Sequence, residues 1–267
     1  VVVTEHNSFY HLGIRALPAH EQAAQRAFIR RWFSDPNIVK VMPVSNDLAS
    51  VLTEDYAVPE RKIHVIPNVA ADVFHPGGQP VAHPFRMLLA AVWRPPKDHD
   101  VFIHALRSLP SELRQKLMVE WGGYGPDMER IKQRCASELP DVDVRFPGLM
   151  SKAQLAQAMR NAHLFVLPTK ADNLPCVVLE SLCCGTPVVS MHVNGVPELV
   201  DKTNGVLVPP SDPTALATIL AHCMRGELQF DRAAIAHAAL GRYAPDVVGS
   251  HIQRVYSAVL SEDVVIA

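Results

Sequence analysis

The chain has 267 residues, 48% of them apolar, and a net charge of −2. That is enough apolar material for two small α/β lobes or one large one, and the near-neutral balance leaves no basic excess to grip an extended nucleic acid. No apolar run approaches the ~18 residues of a membrane span, and the five cysteines show neither zinc spacing nor a C-x-x-C pair, so reduced thiols in a cytoplasmic protein are expected.

The chain opens on Val1 and runs straight into an apolar strand, residues 1–4, whose sheet neighbours are expected to be encoded upstream. Residues 18–32 read as a helix, 38–44 as a strand, and 45–56 as a helix that Ser45 caps with Asn46 and Asp47 in its first turn. A third short strand is predicted at 63–66, ahead of a linker at Gly77-Gly78-Gln79-Pro80. A second series then alternates strands at 87–91, 118–121, 142–146, 163–168 and 187–190 with helices at 100–109, 127–139, 152–161 and 175–185. A short helix from Gly195 and helical stretches at 213–224, 231–240 and 245–260 close the chain. Such alternation predicts an α/β fold with a parallel sheet covered on both faces. Ligands of such sheets bind beyond the carboxyl ends of the strands, where Lys97, Gly123, Gly148 and Asp172 are expected.

The chemistry is concentrated at 168–190, where Asp172 and Glu180 bracket a helix start at Pro175. Proline suits the first helical position, and the free amides there can face an anion. Arg94 and Lys97, in the loop after the 87–91 strand, add cations suited to phosphate. The glycines of Gly122-Gly-Tyr-Gly125 and the Phe146-Pro-Gly148 segment read either as plain turns or as backbone facing a ligand. His6 ends the first strand beside Glu5, and its imidazole suits acid–base work as well as an ordinary hydrogen bond. Two D-x-D strings, Asp98/Asp100 and Asp141/Asp143, read as a helix cap and a polar turn, so no metal is expected. Glu198 reads as structural, at the amino end of its own short helix.

Asp172-x7-Glu180, followed by Ser-Leu-Cys-Cys-Gly-Thr-Pro-Val-Val and then by Asn194-Gly-Val-Pro-Glu198, resembles the glutamate-x7-glutamate block of the group 1 retaining glycosyltransferases, family 4. The resemblance implies the GT-B fold, two Rossmann-like parallel-sheet lobes of which the first is only partly present. Residues 1–74 would be the C-terminal part of the acceptor lobe, with Val65-Ile-Pro-Asn68 and then Phe74-His-Pro76 resembling the family's hinge between lobes, 75–243 the donor lobe, and 244–267 a helix returning to the first lobe through Ile252, Val255, Tyr256 and Val259. It also implies transfer of a sugar from a nucleotide-diphosphate sugar to an acceptor hydroxyl with retention, in polysaccharide or lipopolysaccharide biosynthesis, without a cofactor.

By the same resemblance, Asp172 holds the sugar hydroxyls and Glu180 the ribose diol, while Lys97 and the backbone at Asn173 and Leu174 receive the diphosphate. Gly123 would touch the nucleotide, Phe146 and Gly148 its base, and His6 the acceptor hydroxyl. Two positions depart from the family pattern. Asp172 replaces the first glutamate, shortening its reach by roughly 1.5 Å, and Val92 stands where an arginine is usual, which makes Arg94 the candidate for the lost cation. The implied partners are a glycan or lipid-linked acceptor and no nucleic acid, with peripheral membrane contact through the missing part of the first lobe at the inner membrane face. A non-catalytic nucleotide-sugar-binding subunit and a GT-B sugar-nucleotide epimerase are the alternative readings. A dinucleotide-dependent dehydrogenase is disfavoured, because no G-x-G-x-x-G follows a strand.

Overall fold

The computed structural model describes residues 1–6, 10 and 16–263. Val2–Glu5 (β1) and Lys40–Pro43 (β2) pair in parallel, with Val3 opposite Val41, and the helix Ala19–Phe33 (α1) makes the crossover. Asn46–Glu54 (α2) starts where the sequence predicts, with the Leu48 amide donating to Ser45 Oγ at 3.1 Å.

Residues 63–66 do not form the expected strand. The amides of His64 and Ile66 donate to Val41 and Pro43 of β2, but only Ile63 forms a bridge, opposite Val41. Pro67 follows with no N–H to extend a ladder, and the chain turns away toward the second lobe.

The larger sheet is built from Phe85–Val92 (β3), Leu117–Tyr124 (β4), Asp143–Gly148 (β5), Leu164–Leu167 (β6), Val188–Met191 (β7) and Gly205–Val208 (β8). His99–Ser108 (α3), the single turn Ser111–Arg114 (α4), Met128–Glu138 (α5), Lys152–Asn161 (α6) and Cys176–Cys183 (α7) connect the strands. Pro213–Met224 (α8), Arg232–Tyr243 (α9) and Pro245–Asp263 (α10) close the chain. All six strands are parallel, in the order β5-β4-β3-β6-β7-β8. Strand β8 and α4 are additions to the expected elements. Strand β4 runs past Trp121, so Gly122 and Gly123 lie inside it, paired with Ala90 and Ala91, rather than in a turn after it. Phe146 and Gly148 likewise belong to β5.

The side-chain period of two divides the apolar residues between two buried faces. Met87 and Leu89 of β3, with Leu164 and Val166 of β6, meet Phe102, Ile131 and Leu216 on one side. Leu88 and Ala90, with Phe165 and Leu167, meet Met159, Leu179 and Ile235 on the other. That second core continues into the first lobe through Val41, Leu48 and Leu52. Val248, Ile252 and Val255 of α10 pack on Val2, Met42 and Ile66, whereas Tyr256, expected to join them, is 45% exposed.

Candidate active site at the strand-order reversal

The connection from β3 leads outward to β4 and β5, and the chain then returns to place β6 on the other side of β3. A crevice opens at the carboxyl ends of strands whose connections diverge in this way, and it is where open α/β sheets bind ligands. The loops after β3 and β6 flank that crevice. They are clamped together: Lys97 forms an antiparallel bridge with Thr169, the Asp98 amide donates to Pro168 O at 3.0 Å, and the Lys170 amide donates to Pro96 O at 2.9 Å. The clamp brings Lys97 Nζ into an ion pair with Asp172 Oδ2. Their side chains are only 16% and 19% exposed, enough to shield the pair from bulk water and leave both reachable.

Helix α7 begins four residues after Asp172, with Pro175 as its N-cap rather than its first helical residue. The Val178 and Leu179 amides close on Pro175 O, which leaves those of Cys176 and Val177 outside the helical ladder, at the end of α7 that adjoins Asp172. Glu180 lies on the second turn. Its carboxylate makes no hydrogen bond or ion pair among the described residues, and burial raises its pKa against the opposing pull of Lys152. Asp172 and Glu180 both act electrostatically on Cys176, whose thiol is held above its ordinary pKa first by burial and then by Glu180. The two acids therefore flank one helix start. Lys152, the first residue of α6, is a cation of this neighbourhood that no sequence motif marks.

Because burial raises the Glu180 pKa, the native carboxyl keeps its proton to higher pH than the unfolded one. Its contribution to stability is present below the ordinary value of 4.5 and is lost as pH rises through the folded value. Glu180→Gln is expected to raise the melting temperature at neutral pH, with the advantage shrinking in acid. Calorimetric melts across that range check this, and a variant less stable at neutral pH would contradict it.

Across the crevice, the His6 backbone carbonyl accepts from Asn173 Nδ2 at 3.0 Å. Asn68 Nδ2 donates to Leu174 O at 2.6 Å, which turns its Oδ1 toward His6 Nδ1 at 2.9 Å. An amide oxygen can only accept, so His6 Nδ1 donates to Asn68 Oδ1, and in the neutral imidazole the lone pair lies on Nε2. The sequence marks Asn68 only as a hinge residue, and its role in orienting His6 emerges with the tertiary structure. Asn173 is 5% exposed, and its Oδ1 has no partner among the described residues.

Arg94 is exposed, and its guanidinium has no partner among the described residues. Gly123 is corrected from a turn to a close approach: a Cβ there would lie 1.9 Å from Ala91 O and 2.7 Å from Trp93 Nε1. Phe146 packs its ring on Trp121 and Trp93, with centroids 6.1 and 5.6 Å away. A Cβ on Gly148 would meet open space. Both D-x-D strings are engaged in ion pairs: Asp98 with Lys170, Asp100 with Arg130 and Arg134, Asp141 with Arg114, and Asp143 with Arg145. Glu198 is structural, as expected, but it caps α2 instead of its own 3-10 turn.

Two parallel α/β lobes meeting across such a crevice define the GT-B architecture. The chain belongs to the family Glycosyl transferases group 1, whose profile matches residues 79–244. It is 31% identical over 217 residues to a D-inositol 3-phosphate glycosyltransferase of Mycobacteroides abscessus, covering 77% of this chain and 48% of the relative. It is 32% identical over 231 residues to the enzyme of that name from Segniliparus rotundus, covering 79% and 50%. The chain thus spans about half the length of these curated relatives. Anabaena HepE, solved in complex with UDP and glucose, superposes with a TM-score of 0.77 at 18% identity, covering 97% of this chain and 71% of that one. Sucrose-phosphate synthase from Thermosynechococcus elongatus gives 0.79 at 17% identity, covering 98% and 68%. Among the described residues, no helix is long and apolar enough to cross a membrane.

Proposed function

We propose that the protein transfers a sugar from a nucleotide-diphosphate sugar to an acceptor hydroxyl with retention of anomeric configuration, in glycan or lipopolysaccharide assembly at the cytoplasmic face of a membrane. The observation that carries this reading is the Lys97–Asp172 pair at the strand-order reversal, beside the free amides of α7 and with Glu180 on its second turn. In this reading residues 1–74 and 244–267 belong to the acceptor lobe and 75–243 to the donor lobe.

The diphosphate sits against the amino end of α7, where Lys97, Arg94 and the backbone near Asn173 and Leu174 meet the charge that grows as the glycosidic C–O bond breaks. Asp172 turns from Lys97 to the sugar hydroxyls, and Glu180 takes the ribose diol. Gly148 leaves room for the base beside Phe146, and Gly123 contributes by letting Trp93 lie against β4. The acceptor oxygen forms the new C–O bond at the anomeric carbon and gives its proton to His6 Nε2.

UDP-glucose is the first probe because HepE has been solved with it. The full-length protein is expected to bind UDP and UDP-glucose in calorimetric titrations, and Asp172→Asn to keep UDP binding while losing turnover. A protein that binds no nucleoside diphosphate would refute the reading; one that binds but never turns over would favour the non-catalytic alternative.

A further inference from the structure

Glu198 lies in the donor lobe, yet both of its carboxylate oxygens are used by the first lobe. Oε2 accepts from the Asn46 amide at 2.9 Å and from Asn46 Nδ2 at 2.7 Å, and Oε1 accepts from the Asp47 amide at 2.9 Å. These amides open α2, and a carboxylate there also meets the positive end of the helix. The turn that carries Glu198 is tied on its other side to the candidate site. Gly195 N donates to Asp172 O at 3.3 Å, and Glu198 N donates to Gly195 O at 3.1 Å. The chain of contacts therefore runs from α2 through Glu198 and Gly195 to the acid proposed to hold the donor sugar.

We infer that Glu198 is a positioning residue, a clasp between the lobes that sets the acceptor-side lobe in register with the Asp172–Asn173 loop and couples donor binding to α2. The inference rests on the functional reading above, since the donor site is part of it.

Hydrogen exchange on the full-length protein, with and without UDP-glucose, tests it. In the natural protein UDP-glucose is expected to slow exchange of the α2 first-turn amides. Glu198→Ala should speed their exchange at least about tenfold without ligand and abolish the ligand-induced protection, with kcat about tenfold lower and KM for UDP-glucose within about threefold. Glu198→Gln, which keeps one acceptor oxygen, should restore part of the coupling. If Glu198→Ala does not fold, Asn46→Pro serves: proline is favoured at the first helical position, and the change deletes two of the three donors. Unchanged α2 exchange in either folded variant would overturn the clasp. Failure to bind UDP-glucose would instead strike the functional reading, because the ligand-free exchange is independent of it.

Discussion

Lys97→Ala is expected to weaken UDP binding by about a hundredfold, roughly 2.7 kcal/mol. Removing one member of a shielded charge pair typically costs about 2–5 kcal/mol, much of it from the charge left behind. Here that charge is Asp172, which would face the incoming diphosphate without its ion-pair partner. The double variant Lys97→Ala/Asp172→Asn should therefore bind UDP roughly tenfold better than Lys97→Ala alone, because the repulsion is gone while the cation is still missing. Arg94→Ala should cost less, about tenfold or under, since Arg94 is exposed and its charge is screened by solvent. Titration calorimetry of the three variants decides the matter. An unchanged UDP affinity in Lys97→Ala would remove the cation from the site.

Gly195→Ala should reduce turnover by more than about a hundredfold, the scale at which a 1 Å displacement acts in a reacting complex. A Cβ at this position would stand 1.6 Å from Asn173 O and 3.0 Å from Ser45 Cβ. The first contact is with backbone, so no rotamer relieves it. The Asn173 loop must move, and the bond from Asn173 Nδ2 to His6 O moves with it. Overpacking of this kind costs about 1–3 kcal/mol of stability, which leaves the fold standing for a kinetic measurement. Turnover of UDP-glucose close to that of the natural protein would show that the 194–198 turn is not coupled to the site.

Much of the second lobe is legible because its strands are buried on both faces, so apolar runs such as Leu164–Leu167 stand out from their polar flanks. The helix from Lys152 to Asn161 matches its expected bounds to the residue, since Ser151 and Gln154 form a capping box at its start. No strand forms at 63–66, although its apolar residues suggest one, because Pro67 has no N–H to extend the ladder beyond the bridge at Ile63. Strand β4 outruns its expected end for the opposite reason: glycines usually mark turns, but Gly122 and Gly123 are in the strand because Trp93 and Met150 occupy the space where side chains would be. Strand β8 does carry a local signal, as Gly205-Val-Leu-Val208 is an apolar run bounded by Asn204 and Pro209.

At the site, the sequence by itself determined the chemical inventory: two acids at fixed spacing around a helix start, and a lysine after an earlier strand. Local spacing is enough for that, because Asp172 and Glu180 share one loop and one helix. Only the tertiary structure decided which groups face one another across the crevice. The pairing of Lys97 with Asp172, the Asn68 contact that orients the His6 ring, and the capping of α2 by Glu198 join residues 75, 62 and 152 positions apart. Contacts at such separations depend on strand order and lobe packing, which no local pattern of residues encodes.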